Sequence, residues 1–475
     1  MTTTTAAPAP TQTLPTSDTN DLDALRRVVA GPVLEPGDAG YDDEVAAWNR
    51  ITTHRPPIVV GAVCADDVVA TVRYAIKHRL PVGVQATGHG ASFPVNDGIL
   101  ISTKRMTNVA VDVQRGTARI GAGAKWAHVV EMTAPYGLAP LSGSTTDVGA
   151  VGYTLGGGMG PLGRRYGFAA DRVRAVEIVT GDGKLRTVTA DDDTGLFWGV
   201  RGGKGNLGIV TAIEIDLVLQ PRLYGGAIFY AADDAATVMK AWRKWVDTVP
   251  EEMTSSVALL RLPDLEFVPE PLRGKLTLHL RIAFTGTATD GEWLVGPLRK
   301  VATPLIDMVR DMPFTEVDSI HMDPLDPQPA WHDGRLLASF NDDAVDALIE
   351  TAGPGVDVPL IFAEVRHMGG ALGRPAQVPN AVAGREGAFS LFVLGPGVPG
   401  IKDAAAAAGT RVIEALRPWT SGGRLFNFLG TTDVGPTAVA RAFPSDVAAR
   451  LQELKDRFDP HGIFRHGHAL EGASR

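Results

Sequence analysis

One short glycine-rich stretch constrains the fold of this chain more than any other feature. An apolar run with the composition of a β-strand, 81–84, leads into Thr87-Gly88-His89-Gly90-Ala91-Ser92, where two glycines flank one histidine. Because glycine allows positive φ and close approach of the backbone, successive N–H groups there can form a concave anion site. Such a site suits a pyrophosphate. The alternative, from these residues alone, is a glycine-rich turn with an incidental histidine.

Composition excludes several classes of function. The chain has 475 residues and a net charge of −9 without any cluster of Lys and Arg, which argues against nucleic-acid binding. A single cysteine, Cys64, cannot form an intramolecular disulfide or a cysteine-based metal site, and no metal is expected. The chain contains no apolar run of about 18 residues, so no membrane span is predicted. The absence of a secretory-signal pattern predicts a cytoplasmic protein.

The residue pattern divides the chain into five segments, and the overall class it predicts is α+β. A Thr/Ala/Pro-rich disordered tail (1–20) precedes an N-terminal helical segment (21–55). Most of the glycine clusters lie in the third segment, 56–222. The fourth, 223–420, predicts an antiparallel sheet with helices on one face, and the fifth, 421–475, predicts a short strand at 425–429 and a helix at 444–457.

Hydrophobic periodicity predicts the individual elements. In the third segment these are strands at 56–60, 81–87, 98–102, 109–113 and 117–121, a hairpin at 174–180 and 184–189, and helices at 68–79 and 126–136. In the fourth segment they are strands at 275–283, 360–367 and 388–394 and helices at 237–247, 291–301, 342–352 and 402–416.

Two further glycine clusters follow the first. The stretch 143–160 has no hydrophobic period and predicts a loop that packs its backbone on a ligand. The stretch Gly203-Lys-Gly205-Asn-Leu-Gly208 matches the pattern G-x-G-x-x-G, but it precedes the alternating, strand-like run 209–218. A dinucleotide-binding fingerprint must open a helix, so this match does not predict a Rossmann fold.

Taken in order, these motifs resemble the FAD-binding domain of the vanillyl-alcohol oxidase/p-cresol methylhydroxylase (PCMH) superfamily. The resemblance rests on Gly88-His89-Gly90, on the cluster 143–160 and on the stretch 201–210. The stretch 457–465, Arg-Phe-Asp-Pro-His-Gly-Ile-Phe-Arg, resembles the closing motif of the berberine-bridge-enzyme-like branch. The resemblance as a whole implies a two-lobed PCMH-type FAD-binding domain at 56–222, closed by the C-terminal segment, and a substrate domain at 223–420.

The resemblance also implies how FAD is held. The family histidine that matches His89 carries FAD covalently through the flavin 8α-methyl group. Many relatives add a second bond through a cysteine, but that position is Thr145 here, so a single 8α-histidyl link is implied. In the family motif Tyr-x-Asn, Asn427 is kept and Leu425 replaces the tyrosine. The implied FAD-contacting residues are His89, Thr87, Gly88, Gly90, Ala91, Ser92, Gly143, Thr145, Thr146, Gly149, Gly152, Tyr153, Gly156, Gly208, Val210 and Asn427.

The implied activity is transfer of a hydride to FAD from a C–H next to an alcohol or amine of a small organic substrate, sugar or secondary metabolite. Dioxygen is the expected electron acceptor. The candidates for the base are His367, whose unperturbed pKa is about 6.5, Glu364 and Tyr153. Glu364 can instead pair with Arg366 on one face of its strand, and Tyr153 can serve loop packing. A different class of function, a flavin-fold protein with a non-redox cyclisation or binding role, is the alternative.

Overall fold

The computed structural model describes residues 19–433 and 435–471. Within these residues the chain forms three sheets of four or more strands together with helices, which confirms the predicted α+β class and its antiparallel sheet. Most of the predicted tail over 1–20 lies outside the described residues.

The first lobe is built on a small, largely parallel sheet. Its elements are α1 (Thr19–Val28), β1 (Val33–Leu34), α2 (Tyr41–Val45), β2 (Ile58–Gly61), α3 (Ala65–His78), β3 (Val82–Gln85) and β4 (Ile99–Ser102). The strand order is β1-β2-β4-β3, and both β2 and β3 pair in parallel with β4. Val68, Val72 and Ala75 of α3 are buried against this sheet at helical spacing. The His89 loop follows directly from β3.

The second lobe contains a five-stranded antiparallel sheet in the order β5-β6-β10-β8-β9. Its elements are β5 (Val109–Asp112), β6 (Thr117–Gly121), α4 (Trp126–Thr133), β7 (Leu138–Ala139), α5 (Ala150–Leu155), α6 (Gly163–Tyr166), β8 (Val173–Val179), β9 (Leu185–Thr189), α7 (Thr194–Gly203), β10 (Ile209–Asp216) and β11 (Val218–Leu219). The hairpin β8–β9 and the strand after the G-x-G-x-x-G match confirm two predictions.

One prediction in this lobe is wrong. The cluster 143–160 contains the helix α5, whereas the sequence predicted a loop throughout. The helix forms because Val151, Thr154 and Leu155 are buried at helical spacing, and Thr154 Oγ1 donates to the carbonyl of Ala150 at 2.8 Å. Several glycines around the helix conceal this short apolar period in the sequence.

The third unit is an eight-stranded antiparallel sheet covered by helices. Its elements are β12 (Arg222–Ala231), α8 (Ala235–Trp245), β13 (Met253–Arg261), β14 (Leu276–Phe284), α9 (Ala288–Arg299), β15 (Ile306–Asp307), β16 (Arg310–Pro313), β17 (Ala330–Leu337), α10 (Asp342–Ala352), β18 (Phe362–His367), β19 (Phe389–Pro396) and α11 (Lys402–Ala415). The order is β15-β12-β14-β13-β18-β19-β17, with β16 also paired to β12. The four predicted helices are confirmed.

The two faces of this sheet differ in character. Apolar side chains at alternate positions, such as Val257, Leu280 and Val365, pack against α8 to α11 in the largest core cluster. The intervening positions carry polar and charged side chains, including Arg281 and Glu364, although they are also buried. Buried charges are rare unless they are paired, and on this face Arg281 pairs with Glu364.

The C-terminal segment returns to the first two lobes. Residues 426–428 form a 3₁₀ turn rather than the predicted strand, because Phe426 is buried in the second-lobe core. The short helix α12 (Pro436–Ala440) precedes α13 (Ser445–Phe458), which confirms the predicted helix. Buried Lys455 donates to Asp459 Oδ2 and to the carbonyls of Asn206 and Phe464, and this ties α13 to the second lobe.

Candidate active site

The loop 86–92 turns sharply after β3 and exposes backbone donors. Gly88 has φ +77°, and a Cβ there would lie 2.6 Å from the Cα of Ala47, so only glycine fits. The carbonyl of Thr87 accepts from the N–H of Trp48 at 2.9 Å. Within the described part of the chain, the N–H groups of residues 87–90 donate to no acceptor. They therefore remain available to an anion.

His89 is held by its neighbours while one ring nitrogen stays free. Its Nδ1 lies 2.9 Å from Thr87 Oγ1, and its ring stacks on Trp48 with centroids 4.5 Å apart. Its buried Nε2 has no hydrogen-bond partner within the described residues; the nearest carboxylate oxygen, on Asp147, is 3.8 Å away. Burial lowers the pKa of His89 to about 4, despite Asp147, so the ring is neutral at physiological pH.

The second glycine cluster packs against the C-terminal segment through Asn427. A Cβ on Gly156 would lie 2.0 Å from Asn427 Oδ1, so the small residue makes room for the amide. Asn427 Nδ2 donates to the carbonyl of Tyr153 at 2.8 Å. A Cβ on Gly152 would meet nothing within 4 Å, because this residue faces open space.

Lys204 is a site residue that sequence reasoning missed. Its backbone has a conformation that favours glycine, because a φ of +56° with a ψ of −139° is strained for a residue with a side chain. Its Nζ donates to Asn427 Oδ1 at 3.2 Å, and burial lowers its pKa to about 8. The lysine inside the G-x-G-x-x-G match was the available signal.

These groups meet in one cavity of about 1140 Å³ between the His89 loop, the second glycine cluster and the polar face of the third sheet. This volume exceeds the roughly 300–1,000 Å³ of pockets that hold one drug-sized ligand, so a cofactor and a substrate can share it. The predicted FAD-contacting residues that line it are Thr87, Gly88, His89, Gly90, Ala91, Ser92, Gly143, Thr145, Gly149, Gly152, Tyr153, Gly156 and Asn427.

Three predicted contact residues do not line the cavity. Thr146 is turned toward Asp318, whose carboxylate accepts from its N–H at 2.8 Å and from its Oγ1 at 2.5 Å. Gly208 lies against the carbonyl of Val179, and Val210 is buried in the second-lobe core. Between Gly208 and Val210, Ile209 reaches the cavity wall.

Glu364 occupies the centre of a buried ionic network on the polar face. Its carboxylate lies 2.5 Å from Arg281 Nη1 and 2.8 Å from Arg366 Nη2, and Oε1 accepts from Ser256 Oγ at 2.7 Å. Burial alone would raise its pKa, but the two guanidinium groups hold that pKa well below its usual range. A carboxylate so stabilised is a poor base, so the network supports the paired interpretation of Glu364.

His321 is a second residue that sequence reasoning missed. It lies on the cavity wall, 9% exposed, and its Nδ1 has no hydrogen-bond partner within the described residues. Burial, together with the charges of Arg281 and Arg366, lowers its pKa well below 6.5. The next residue, Met322, has φ +55°, and such strain in a non-glycine residue is typical of functional sites. No periodicity in the sequence marks His321.

His367 does not line the large cavity. Because successive side chains alternate along β18, it points away from the face that carries Glu364 and Arg366. Its Nε2 lies 2.7 Å from Arg164 Nη1, and its ring packs 5.6 Å from that of Phe389. Burial and the charge of Arg164 lower its pKa to about 3. This position does not support a role as the base that meets the substrate.

Tyr153 lines the cavity with a buried hydroxyl that has no hydrogen-bond partner within residues 19–433 and 435–471. Its ring meets that of Trp126 edge to face at 5.7 Å. Burial raises the pKa of its phenol above the usual value, although Arg366 opposes this shift. At neutral pH the hydroxyl is therefore a hydrogen-bond donor and not a base.

Metal ligands and membrane spans bear on the class of site. Among the described residues, no group of His, Cys, Asp and Glu side chains is arranged as metal ligands. Likewise, none of the described helices is both long and apolar enough to cross a bilayer.

The chain is similar to known flavoproteins in sequence. Residues 56–189 match the FAD binding domain family. Along 461 residues the chain is 27% identical to (R)-6-hydroxynicotine oxidase from Paenarthrobacter nicotinovorans, and the match covers 93% of this chain and 97% of that protein.

Solved structures share its fold. The 6-hydroxy-D-nicotine oxidase of Arthrobacter nicotinovorans superposes with a TM-score of 0.82 at 25% identity, covering 93% of this chain and 98% of that one. The berberine-bridge-enzyme-like protein 1 of Physcomitrella patens gives a TM-score of 0.80 at 18% identity and 94% and 98% coverage. Glucooligosaccharide oxidase from Acremonium strictum has a 6-S-cysteinyl, 8α-N1-histidyl FAD. It gives a TM-score of 0.82 at 18% identity and covers 96% of this chain and 100% of that one.

Proposed function

We propose that this chain, a PCMH-type FAD-linked oxidoreductase of the berberine-bridge-enzyme-like branch, is an oxidase that carries FAD on His89 and oxidises a small organic substrate. Bound FAD would supply the redox chemistry by accepting a hydride from a C–H next to an alcohol or amine. Dioxygen is the proposed final acceptor. The homologous hydroxynicotine and glucooligosaccharide oxidases support a small-molecule substrate.

The observation that carries this proposal is the free Nε2 of His89. A buried ring nitrogen without a partner is costly unless a bound group uses it. The ring is neutral, because burial lowers its pKa to about 4, and a neutral imidazole is a competent nucleophile. Glucooligosaccharide oxidase also has a histidyl link to FAD, there through N1 of the ring, which supports a histidyl link in general.

Other residues of the cavity fit FAD as well. The unpaired N–H groups of residues 87–90 suit the negatively charged pyrophosphate. Lys204 adds a cationic donor beside the same loop, since a Cβ on Gly90 would lie 3.6 Å from its Nζ. Gly152 leaves the wall of the second cluster open to a flat ring system.

For the proton of the substrate O–H or N–H we propose His321 as acceptor, in place of His367 and Glu364. This choice rests on position, because His321 lines the cavity with an unpartnered Nδ1, whereas Glu364 is fixed between two arginines. Its lowered pKa makes His321 a weak base. Tyr153 then serves as a hydrogen-bond donor that orients the substrate oxygen or nitrogen.

The test of the cofactor assignment is acid precipitation of the purified protein followed by peptide mass spectrometry. We expect the pellet to stay yellow and the tryptic peptide that contains His89 to gain the mass of FAD. The variant His89→Ala should still bind FAD, because the loop contacts remain, but should release it on precipitation. Colour that leaves the unmodified protein entirely with the supernatant would refute the covalent link.

The test of the oxidase assignment is anaerobic bleaching of the flavin with a panel of amines, aromatic alcohols and sugars. An oxidase should bleach with at least one substrate and should regain its colour with release of hydrogen peroxide when air is admitted. A protein that binds FAD but bleaches with none of them would favour the non-redox alternative.

A further inference from the structure

Three phenylalanines form an aromatic row along one wall of the cavity. Phe362 and Phe392 lie on neighbouring strands with ring centroids 5.8 Å apart. Phe392 stacks on Phe428 of the C-terminal segment at 4.4 Å and 28°. All three line the cavity. Such a row offers a flat apolar ligand stacking and edge contacts along its whole length.

Two arginines flank this aromatic row. The guanidinium of Arg366 lies 5.3 Å from the centre of the Phe428 ring, and that of Arg281 lies 5.8 Å from the Phe362 ring. Their side chains are only 14% and 3% exposed, and both line the cavity. A ligand that lay on the phenylalanines would therefore meet cationic groups at its polar end.

The charges around these arginines do not balance by direct pairing. Arg281 and Arg366 share the single carboxylate of Glu364. The charge of Asp323 also helps to raise the pKa of Arg366, but the described residues show no ion pair between the two within 4 Å. His321 is neutral, because burial and the two arginines lower its pKa well below 6.5. One positive charge is thus left without a paired anion at the cavity wall.

Hydrogen-bonding capacity is unused at the same place. Arg366 Nε and His321 Nδ1 are both buried and lack partners within the described part of the chain. Leaving such groups unpaired is costly, and the cost is larger for a charged group than for a neutral one. An anionic oxygen in the cavity would accept a charge-assisted hydrogen bond from Arg366.

We therefore infer that the substrate is an organic acid with an aromatic or flat apolar body, whose carboxylate binds Arg366 and whose body lies on Phe362, Phe392 and Phe428. This inference rests on the proposed function, since it assigns the substrate class of the same cavity. Arg281 is a positioning residue, because it holds Glu364 and through it the guanidinium of Arg366.

The test is isothermal titration calorimetry of the protein as isolated with two matched probes, 3-phenylpropionate and 3-phenylpropionamide, at pH 8. The probes share their aromatic body and differ in charge. We expect the carboxylate to bind at least about 10-fold more tightly than the amide, as one charge-assisted hydrogen bond provides. Arg366→Gln should weaken binding of the carboxylate by a similar factor and change the affinity for the amide by less than about twofold.

The control variant is Arg374→Gln, since Arg374 is an exposed arginine that pairs with Glu251. It should keep the preference for the carboxylate. Arg366→Lys should keep part of that preference, because it retains the charge and loses the planar fork.

Equal binding of the two probes to the unmodified protein would overturn the inference, as would an Arg366→Gln variant that weakened both probes equally. The first result needs no variant, so it stands even if Arg366→Gln does not fold. Calorimetry does not require flavin reduction. A protein that prefers the carboxylate but never bleaches would contradict the proposed oxidase function and not the substrate class.

Discussion

The imidazole of His89 shows how a few contacts set the chemistry of one residue. In the tautomer with its proton on Nδ1, the ring donates to Thr87 Oγ1 and leaves the lone pair of Nε2 without a partner within the described residues. Trp48 holds the ring by stacking, and burial keeps it neutral by lowering its pKa to about 4. The protonation state and the absence of a partner within the described residues leave Nε2 available as a nucleophile, as the proposed link to FAD requires.

Thr145 gives a prediction about the number of flavin links. It lines the same cavity as His89, but a hydroxyl cannot form the thioether that a cysteine would supply. We expect a single link in the unmodified protein and a fraction of doubly linked flavin in Thr145→Cys. The measurement is mass spectrometry of tryptic peptides, in which a double link joins the peptides of residues 89 and 145 through FAD.

Ser144→Cys is the matched control, because Ser144 is the adjacent residue and also lines the cavity. We expect its flavin to stay singly linked. A doubly linked flavin in the unmodified protein would show that the cysteine position of the family does not correspond to Thr145.

His321 gives the prediction about proton transfer. If its free Nδ1 accepts the substrate proton, His321→Gln should slow anaerobic flavin reduction by about 100-fold or more, the usual scale for losing a general base. Stopped-flow absorbance with any bleaching substrate measures this rate. The flavin spectrum before mixing should be unchanged.

His367→Gln is the comparison variant, because its ring lies against Arg164, away from the cavity lining. It should reduce its flavin within about threefold of the parent rate, well short of the loss expected for a general base. The reverse pattern, a slow His367→Gln and a normal His321→Gln, would restore the assignment made from the sequence.

At the scale of elements, three strands combine to bury one ionic network. Ser256 of β13 pairs in register with Arg281 of β14 and with Arg366 of β18, and Glu364 lies two residues before Arg366 on the same face. The network therefore spans the centre of the sheet. It fixes the side chains of the cavity face while the opposite face packs on the helices.

Breaking this network should destabilise the whole sheet. Glu364→Gln removes the charge that compensates two buried guanidinium groups, so we expect the free energy of unfolding to fall by about 3–5 kcal/mol. Urea unfolding followed by circular dichroism measures this change. In Asp346→Asn, which removes an exposed pair with Lys240, the loss should stay below about 1 kcal/mol. Equal losses in the two variants would contradict a central role for the network.

At the scale of the molecule, burial of neutral histidines makes the fold sensitive to acid. Eight of the eleven histidines have pKa values lowered by burial. They are His54, His89, His279, His321, His332, His367, His466 and His468. For His367 the folded pKa is about 3 and for His468 about 4, against about 6.5 in the unfolded chain.

The sign of the resulting pH dependence follows from linkage. Below pH 6.5 the unfolded chain binds protons that the folded chain excludes, so stability is complete above this pH and falls toward pH 4. We expect the free energy of unfolding to drop by at least about 2 kcal/mol between pH 7.5 and 5.5. Guanidinium unfolding at several pH values measures it, and a constant or rising stability over this interval would contradict the prediction.

The sequence alone determined the features that depend on local chemistry. The His89 loop, the hairpin at 173–189 and the helices of the third unit follow from glycine, turn and periodicity signals within a few residues. Tertiary structure decided which side chains meet. Glu364, Arg281 and Ser256 are brought together by strand register across 108 positions of sequence separation, and the irregular positions of Lys204 and His321 carry no periodic signal. Register and side-chain contacts between distant segments depend on the packed whole, so a local pattern cannot predict them.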